Sequence, residues 1–205
     1  MKYLILIFFL IFNLNLFSQS KEDSLVIHYI NEYRALFNLS KLTYSDSLKK
    51  ISNCHVKWTK DNNEFKHAKV HNVYEILDTY NTLDDIYMWT YARNKYLNEK
   101  KYIKNVYKDN QVTDYENINN WEEFVEFSKK LGFNPKMSLE NEDEALEHFI
   151  VHSIMGLSNS KSHNEIMKMK NIKSISSGII YNFKFEKSFS KNVVKGHWHM
   201  IINFK

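Results

Sequence analysis

Apolar residues recur every three to four positions in three places along the chain. Ser24 offers an N-cap to a helix whose buried face would be Val26, Ile30, Tyr33 and Phe37, ending near Asn38. Ser45 offers a second cap with Asp46 in the first turn, and Leu48, Ile51, His55 and Trp58 keep the period as far as Thr59. Ala145, Leu146, Phe149, Ile150 and Leu157 mark a third helix, opened by Glu142, Asp143 and Glu144, where the helix dipole favours acids. The pattern then changes. Stretches 175–185 and 198–204 are dense in Ile, Tyr, Phe and Trp, with a polar stretch 186–196 between them, which predicts a β-hairpin with a long loop. Helices first and strands last predict an α+β fold with helices packed on a small antiparallel sheet.

The start of the chain follows neither period. Lys2 precedes an unbroken apolar run over 3–12, closed by Leu16, Phe17, Ser18, Gln19 and Ser20, which reads as a signal peptide cleaved near residue 19. The run is shorter than the roughly 20 residues a membrane-spanning helix needs, and no later stretch is long enough. The expected mature protein is therefore secreted, extracellular or periplasmic, without a transmembrane segment, and 20–205 has the size of one domain. The single cysteine, Cys54, excludes an intramolecular disulfide. Its place in the second apolar-periodic helix predicts a buried, inert thiol.

A net charge of +4 is too small to make the whole surface a polyanion binder, and export argues against nucleic acid as a partner. Only four glycines are present, and neither a P-loop nor Gly-x-Gly-x-x-Gly occurs, so a nucleotide cofactor lacks its usual phosphate cradle. Stretch 78–135 fits none of these periods and reads as an insertion. Its Tyr87, Trp89, Tyr91 and Tyr96 lie among Arg93, Lys95, Lys100 and Lys101, as in a charged helix with a packed aromatic side.

His148 and His152 are one helical turn apart and would share a face with Glu144. The zincin motif is absent, because Phe149, Ile150 and Val151 fill the positions between them. This stripe is expected to be solvated surface. Ser160 and Ser162 precede His163 without the Gly-x-Ser-x-Gly turn of a serine hydrolase.

Three separated pieces resemble the CAP superfamily, the SCP-like extracellular domains, in its bacterial secreted branch. The first is Ile30, Asn31, Glu32, Tyr33, Arg34 and Ala35, followed by Leu42, Leu48 and a histidine-bearing loop at Phe65, Lys66 and His67. The second runs over 157–167 and carries Ser160, His163, Asn164, Glu165 and Ile166. The third is Ser177, Gly178, Ile179 and Ile180, then His197, Trp198, His199, Asn203 and Phe204. The resemblance implies an α-β-α sandwich with a cleft formed by two histidines and one or two glutamates, which in some members binds a divalent metal such as zinc. His67 and His163 match the histidines and would be the metal ligands. Glu75, Glu116 and Glu140 compete for the first glutamate, and a second would fall near Glu144 or Glu147. Two imidazoles and a carboxylate suit zinc and would leave a coordination position for water or substrate.

The function implied is an extracellular binding or interaction module whose His/Glu cleft, metal-assisted, takes a lipid, peptide or envelope ligand. The alternative is a divalent-metal-dependent hydrolase of peptides or esters, with a glutamate as general base toward a bound water.

Overall fold

A computed structural model describes residues 19–64, 66–80, 121–136, 139–188 and 191–205. The expected signal peptide, most of the stretch 78–135 read as an insertion with its basic aromatic segment, and Glu116 lie outside the described residues. The fold is α+β, with, among the described residues, five helices on a four-stranded mixed sheet. In chain order these are α1 (Lys21–Ala35), β1 (Thr43–Tyr44), α2 (Asp46–Asn62), β2 (Tyr74–Tyr80), α3 (Trp121–Lys130), α4 (Glu142–Asn159), α5 (Lys161–Met167), β3 (Ser174–Ser188) and β4 (Lys191–Phe204).

The sheet order is β1-β3-β4-β2. β3 pairs antiparallel with β4, and β4 with β2, while the two-residue β1 lies parallel to β3 at the edge, so the sheet is not purely antiparallel. The expected 186–196 loop is also corrected. The hairpin ladder continues through Glu186↔Val193 to Ser188↔Lys191, so most of that polar stretch is strand. Polarity misled the reading because the ladder is made by the backbone and does not require apolar side chains.

Strand alternation divides the sheet into two apolar faces. Ile175, Ile179, Trp198, Met200, Ile202, Phe204 and Ile76 point to one side, where they meet Val26, Ile30 and Tyr33 of α1 and Leu146, Phe149, Ile150 and Ile154 of α4. Leu77, Ile180 and Ile201 point to the other side, where Val56 of α2 meets them. Helices therefore cover both faces. Burying each of the large side chains of the first cluster is worth about 1.5–3 kcal/mol.

Helix starts follow the capping rule, but not always at the expected residue. Asn141 caps α4 by accepting from Glu144 N–H, and Ser45 caps α2 through Leu48 N–H. For α1 the cap is Ser20 rather than Ser24: its hydroxyl accepts from Asp23 N–H at 3.2 Å and donates to the Asp23 carboxylate at 3.0 Å. The helix also stops at Ala35, which leaves Phe37 43% exposed.

Asp23 does more than start a helix. Its fully buried carboxylate accepts from Ser177 N–H at 2.9 Å and from the hydroxyls of Ser177 and Ser176, and pairs with Lys49 Nζ at 2.5 Å. α1, α2 and the edge of β3 are thereby tied together.

The buried face of α2 differs from the expected one. Leu48, Ser52, His55, Val56 and Thr59 are buried, whereas Ile51 and Trp58 are only partly covered. Cys54 is exposed, which corrects the inert, buried thiol. The cause is the closeness of helix to sheet: a Cβ on Gly178 would lie 2.5 Å from the Ser52 carbonyl oxygen. Such an approach admits small residues at the contact and rotates the larger apolar ones outward.

Candidate functional site

The polar residues Asn31, Tyr33 and Arg34 of α1 act as scaffolding. Asn31 pairs with the Leu42 backbone at both ends, donating to its carbonyl at 3.0 Å and accepting from its N–H at 2.8 Å. Arg34, fully buried, donates to Ser40 O at 2.9 Å, Met167 O at 2.7 Å and Met169 O at 2.9 Å. Burial lowers the Arg34 pKa without removing the reason for its charge, since carbonyl oxygens solvate it. The Tyr33 hydroxyl donates to Asn164 Oδ1 at 2.8 Å. Two adjacent residues of α1 thus fix α5, the short helix that carries His163.

The third sequence piece performs the equivalent task for α2. Asn203 on β4 donates its amide to Ser52 Oγ at 2.9 Å, and Ser52 in turn donates to Leu48 O at 3.0 Å. Glu75 is the β2 partner of Asn203, on the same face of the sheet. Its side chain is therefore directed beneath α2 and is buried.

Three nitrogens converge on this buried carboxylate. His55 Nδ1 is 2.7 Å from Oε2, Ala68 N–H donates to Oε1 at 2.8 Å, and His67 Nδ1 stands 3.4 Å from Oε1. A carboxylate taken out of water requires such donors. His67 sits in the loop between α2 and β2, whose ends are turned by Asn63 and Asn72 in the left-handed region, at φ 50° and 58°. Its side chain is 55% exposed. The ring of His163 lies 6.1 Å from that of His67, centre to centre. Burial lowers the His163 pKa, and the neighbouring His67 lowers it further, so its imidazole is held neutral. Trp58 extends the row, 5.8 Å from His55 and beneath the Lys66 ammonium at 5.1 Å.

Of the glutamates that compete for this place, the structure brings Glu75 to His67. Glu140 stands at the start of α4, where its N–H donates to Glu144. Glu144 also pairs with Lys136 at 2.6 Å, and Glu147 accepts from the Tyr29 hydroxyl. Glu116 is outside the described residues. His55, which the sequence placed only on the periodic face of α2 and not in the cleft, is the second imidazole on Glu75. The available signal was its company: a helix face bearing Ser52, His55 and Thr59 beneath a sheet has to find polar partners there.

His148 and His152 do not form the expected solvated stripe. Phe124 of α3 covers both, with ring centres at 4.9 Å and 5.6 Å, and Phe133 stands 6.2 Å from His148. α3 lies in the stretch read as an insertion, so the sequence offered nothing to cover them. Burial, reinforced by His152, pushes the His148 pKa down to about 3; burial alone pushes His152 to about 4.

The donor set suits a metal ion in part. Two imidazoles sharing one zinc, each bound at about 2.0–2.1 Å, place their ring centres roughly 5–6 Å apart, so the His67–His163 separation of 6.1 Å lies just beyond that span. Glu75 stands where a carboxylate would orient the His67 imidazole from behind if that ring held an ion. Among the described residues, no three His, Cys, Asp or Glu side chains are arranged to hold an ion. Nor is any described helix long and apolar enough to cross a membrane. No family model matches the chain, and comparison with curated proteins and with solved structures gave no match either.

Proposed function

We propose that this chain is a secreted CAP-like module that binds an extracellular lipid, peptide or envelope ligand where His67 and His163 meet in front of Glu75. The observation that carries the reading is the convergence of two sequence-distant imidazoles, 6.1 Å apart, with a buried carboxylate behind one of them. A half-exposed imidazole against a neutral one forms a polar recognition point in a partly covered surface, as ligand sites require. A divalent ion such as zinc would be held by His67 and His163, with the remaining positions left to water or ligand. Binding is favoured over hydrolysis because Glu75 is buried and each of its oxygens is already held by a nitrogen of α2 or of the following loop, which suits it to positioning the site rather than to taking a proton from a water.

Zinc chloride titrated calorimetrically into the wild type, His67→Ala, His163→Ala and the exposed-site control His71→Ala tests the metal. The expected result is a loss of at least about tenfold in affinity in the two cleft variants only, because each lacks one ligand. Equal affinity in all four proteins removes the ion from the cleft. Peptide and ester libraries incubated with zinc, with and without chelator, are expected to show no turnover; chelator-sensitive turnover would establish the hydrolase instead.

A further inference from the structure

His55 is buried, holds Glu75 by the shortest contact in the cluster, and has no place in the binding reading as so far stated. We propose that His55 is a positioning residue: it fixes the Glu75 carboxylate so that the opposite oxygen faces His67, and thereby sets which nitrogen of His67 carries the proton.

The geometry leaves little freedom. Oε2 is taken by His55 Nδ1 at 2.7 Å and Oε1 by Ala68 N–H at 2.8 Å, so the carboxylate plane is pinned from a helix on one side and from the loop on the other. Ala68 immediately follows His67, so the donor that pins Oε1 also brings the His67 ring to the carboxylate, where Nδ1 stands 3.4 Å away. A carboxylate at Nδ1 selects the tautomer protonated there, and the lone pair then resides on Nε2. Nε2 is the nitrogen left for a ligand, in a ring that is 55% exposed and faces a second, neutral imidazole. Without His55, Oε2 would lose the one side-chain donor that the described residues give it, in a buried site, and the carboxylate would rotate to recover one. The imidazole of His55 is thus as much a part of the cleft as the exposed rings, although it meets no ligand.

This inference rests on the cleft being the binding site, but its decisive test does not. Long-range ¹H–¹⁵N correlation spectra of the metal-free protein at slightly alkaline pH report each histidine tautomer. In the wild type His67 is expected as the Nδ1–H form, and in His55→Phe as a mixture with the Nε2–H form. His55→Gln, whose amide can still donate to Oε2, is expected to restore the wild-type pattern. Zinc affinity should follow the same order, falling about 10- to 100-fold in His55→Phe and recovering in His55→Gln. An Nε2–H tautomer in the wild type overturns the proposal whatever the variants do. An unchanged His67 tautomer in folded His55→Phe overturns it as well, and if that variant does not fold, a His55→Gln spectrum that differs from wild type does so. Correct tautomers with no zinc binding in any protein would leave the positioning intact and remove the metal from the proposed function.

Discussion

Acid should destabilise this fold through His148, by an amount the structure fixes. The side chain is 3% exposed among Phe124, Phe133 and Phe149, and its pKa in the folded protein is about 3, against 6.5 for an unburied imidazole. Between these values the unfolded chain holds a proton that the folded protein refuses. Stability is therefore unaffected above about pH 6.5 and falls as pH drops below it, by about 1.4 kcal/mol per unit, until the folded imidazole itself titrates near pH 3. At pH 5 the loss is about 2 kcal/mol, and this figure depends on the unfolded value alone, because the folded pKa lies well below 5. His148→Leu keeps an apolar side chain of similar size but cannot titrate. Urea unfolding followed by tryptophan fluorescence at pH 7.5 and pH 5.0 should show the wild type losing about 2 kcal/mol more than the variant, close to 1 M in midpoint. All other titrating groups are common to the two proteins and cancel in the comparison. An equal acid loss in wild type and His148→Leu would refute the burial argument.

Three further outcomes follow from local geometry. Gly178→Ala places a methyl group 2.5 Å from the Ser52 carbonyl oxygen, a backbone atom, and should cost about 1–3 kcal/mol in chemical denaturation as α2 is pushed off the sheet. Cys54 is exposed, so a thiol reagent such as Ellman's should label the native protein without denaturant; labelling that appears only on unfolding would restore the buried thiol. Arg34→Lys cannot reproduce a guanidinium that serves Ser40, Met167 and Met169 together, so amide exchange should accelerate across α5 while α4 stays protected.

Much of the fold was legible because periodicity and burial coincide wherever the buried residues are apolar. α4 shows this: Ala145, Leu146, Phe149, Ile150 and Leu157 were selected by spacing, and all are buried. The closing strands were legible for the same reason, since the Ile175 to Ile179 and Trp198 to Phe204 alternations line one apolar face. The failures fall where a different force sets the face. On α2 the close approach at Gly178 selected Ser52 and Thr59 over Ile51 and Trp58. At His148 and His152, a helix from a stretch without a readable pattern supplied the cover. At α1 the sequence pointed to Ser24 as the cap, and the tertiary demand for Asp23 at the edge of β3 decided for Ser20.

The site was legible only in outline. His67 and His163 were named, but Glu75, Glu116 and Glu140 competed for the first glutamate. The structure shows how Glu75 comes to stand beside His67. Lys49 reaches Ser177 O on β3, Ser52 receives the Asn203 amide on β4, and His55 meets Glu75 on β2, so α2 crosses the sheet one strand at a time. Three residues of helix rise about 4.5 Å, and neighbouring strands lie about 4.8 Å apart. A polar residue every third position of α2 therefore meets a polar partner on each successive strand. Glu75 enters the site because its register partner is Asn203, and Asn203 is bound one step earlier along the same helix. That relation joins a helix period to a sheet register, and neither the spacing of a motif nor the burial pattern of one element contains it.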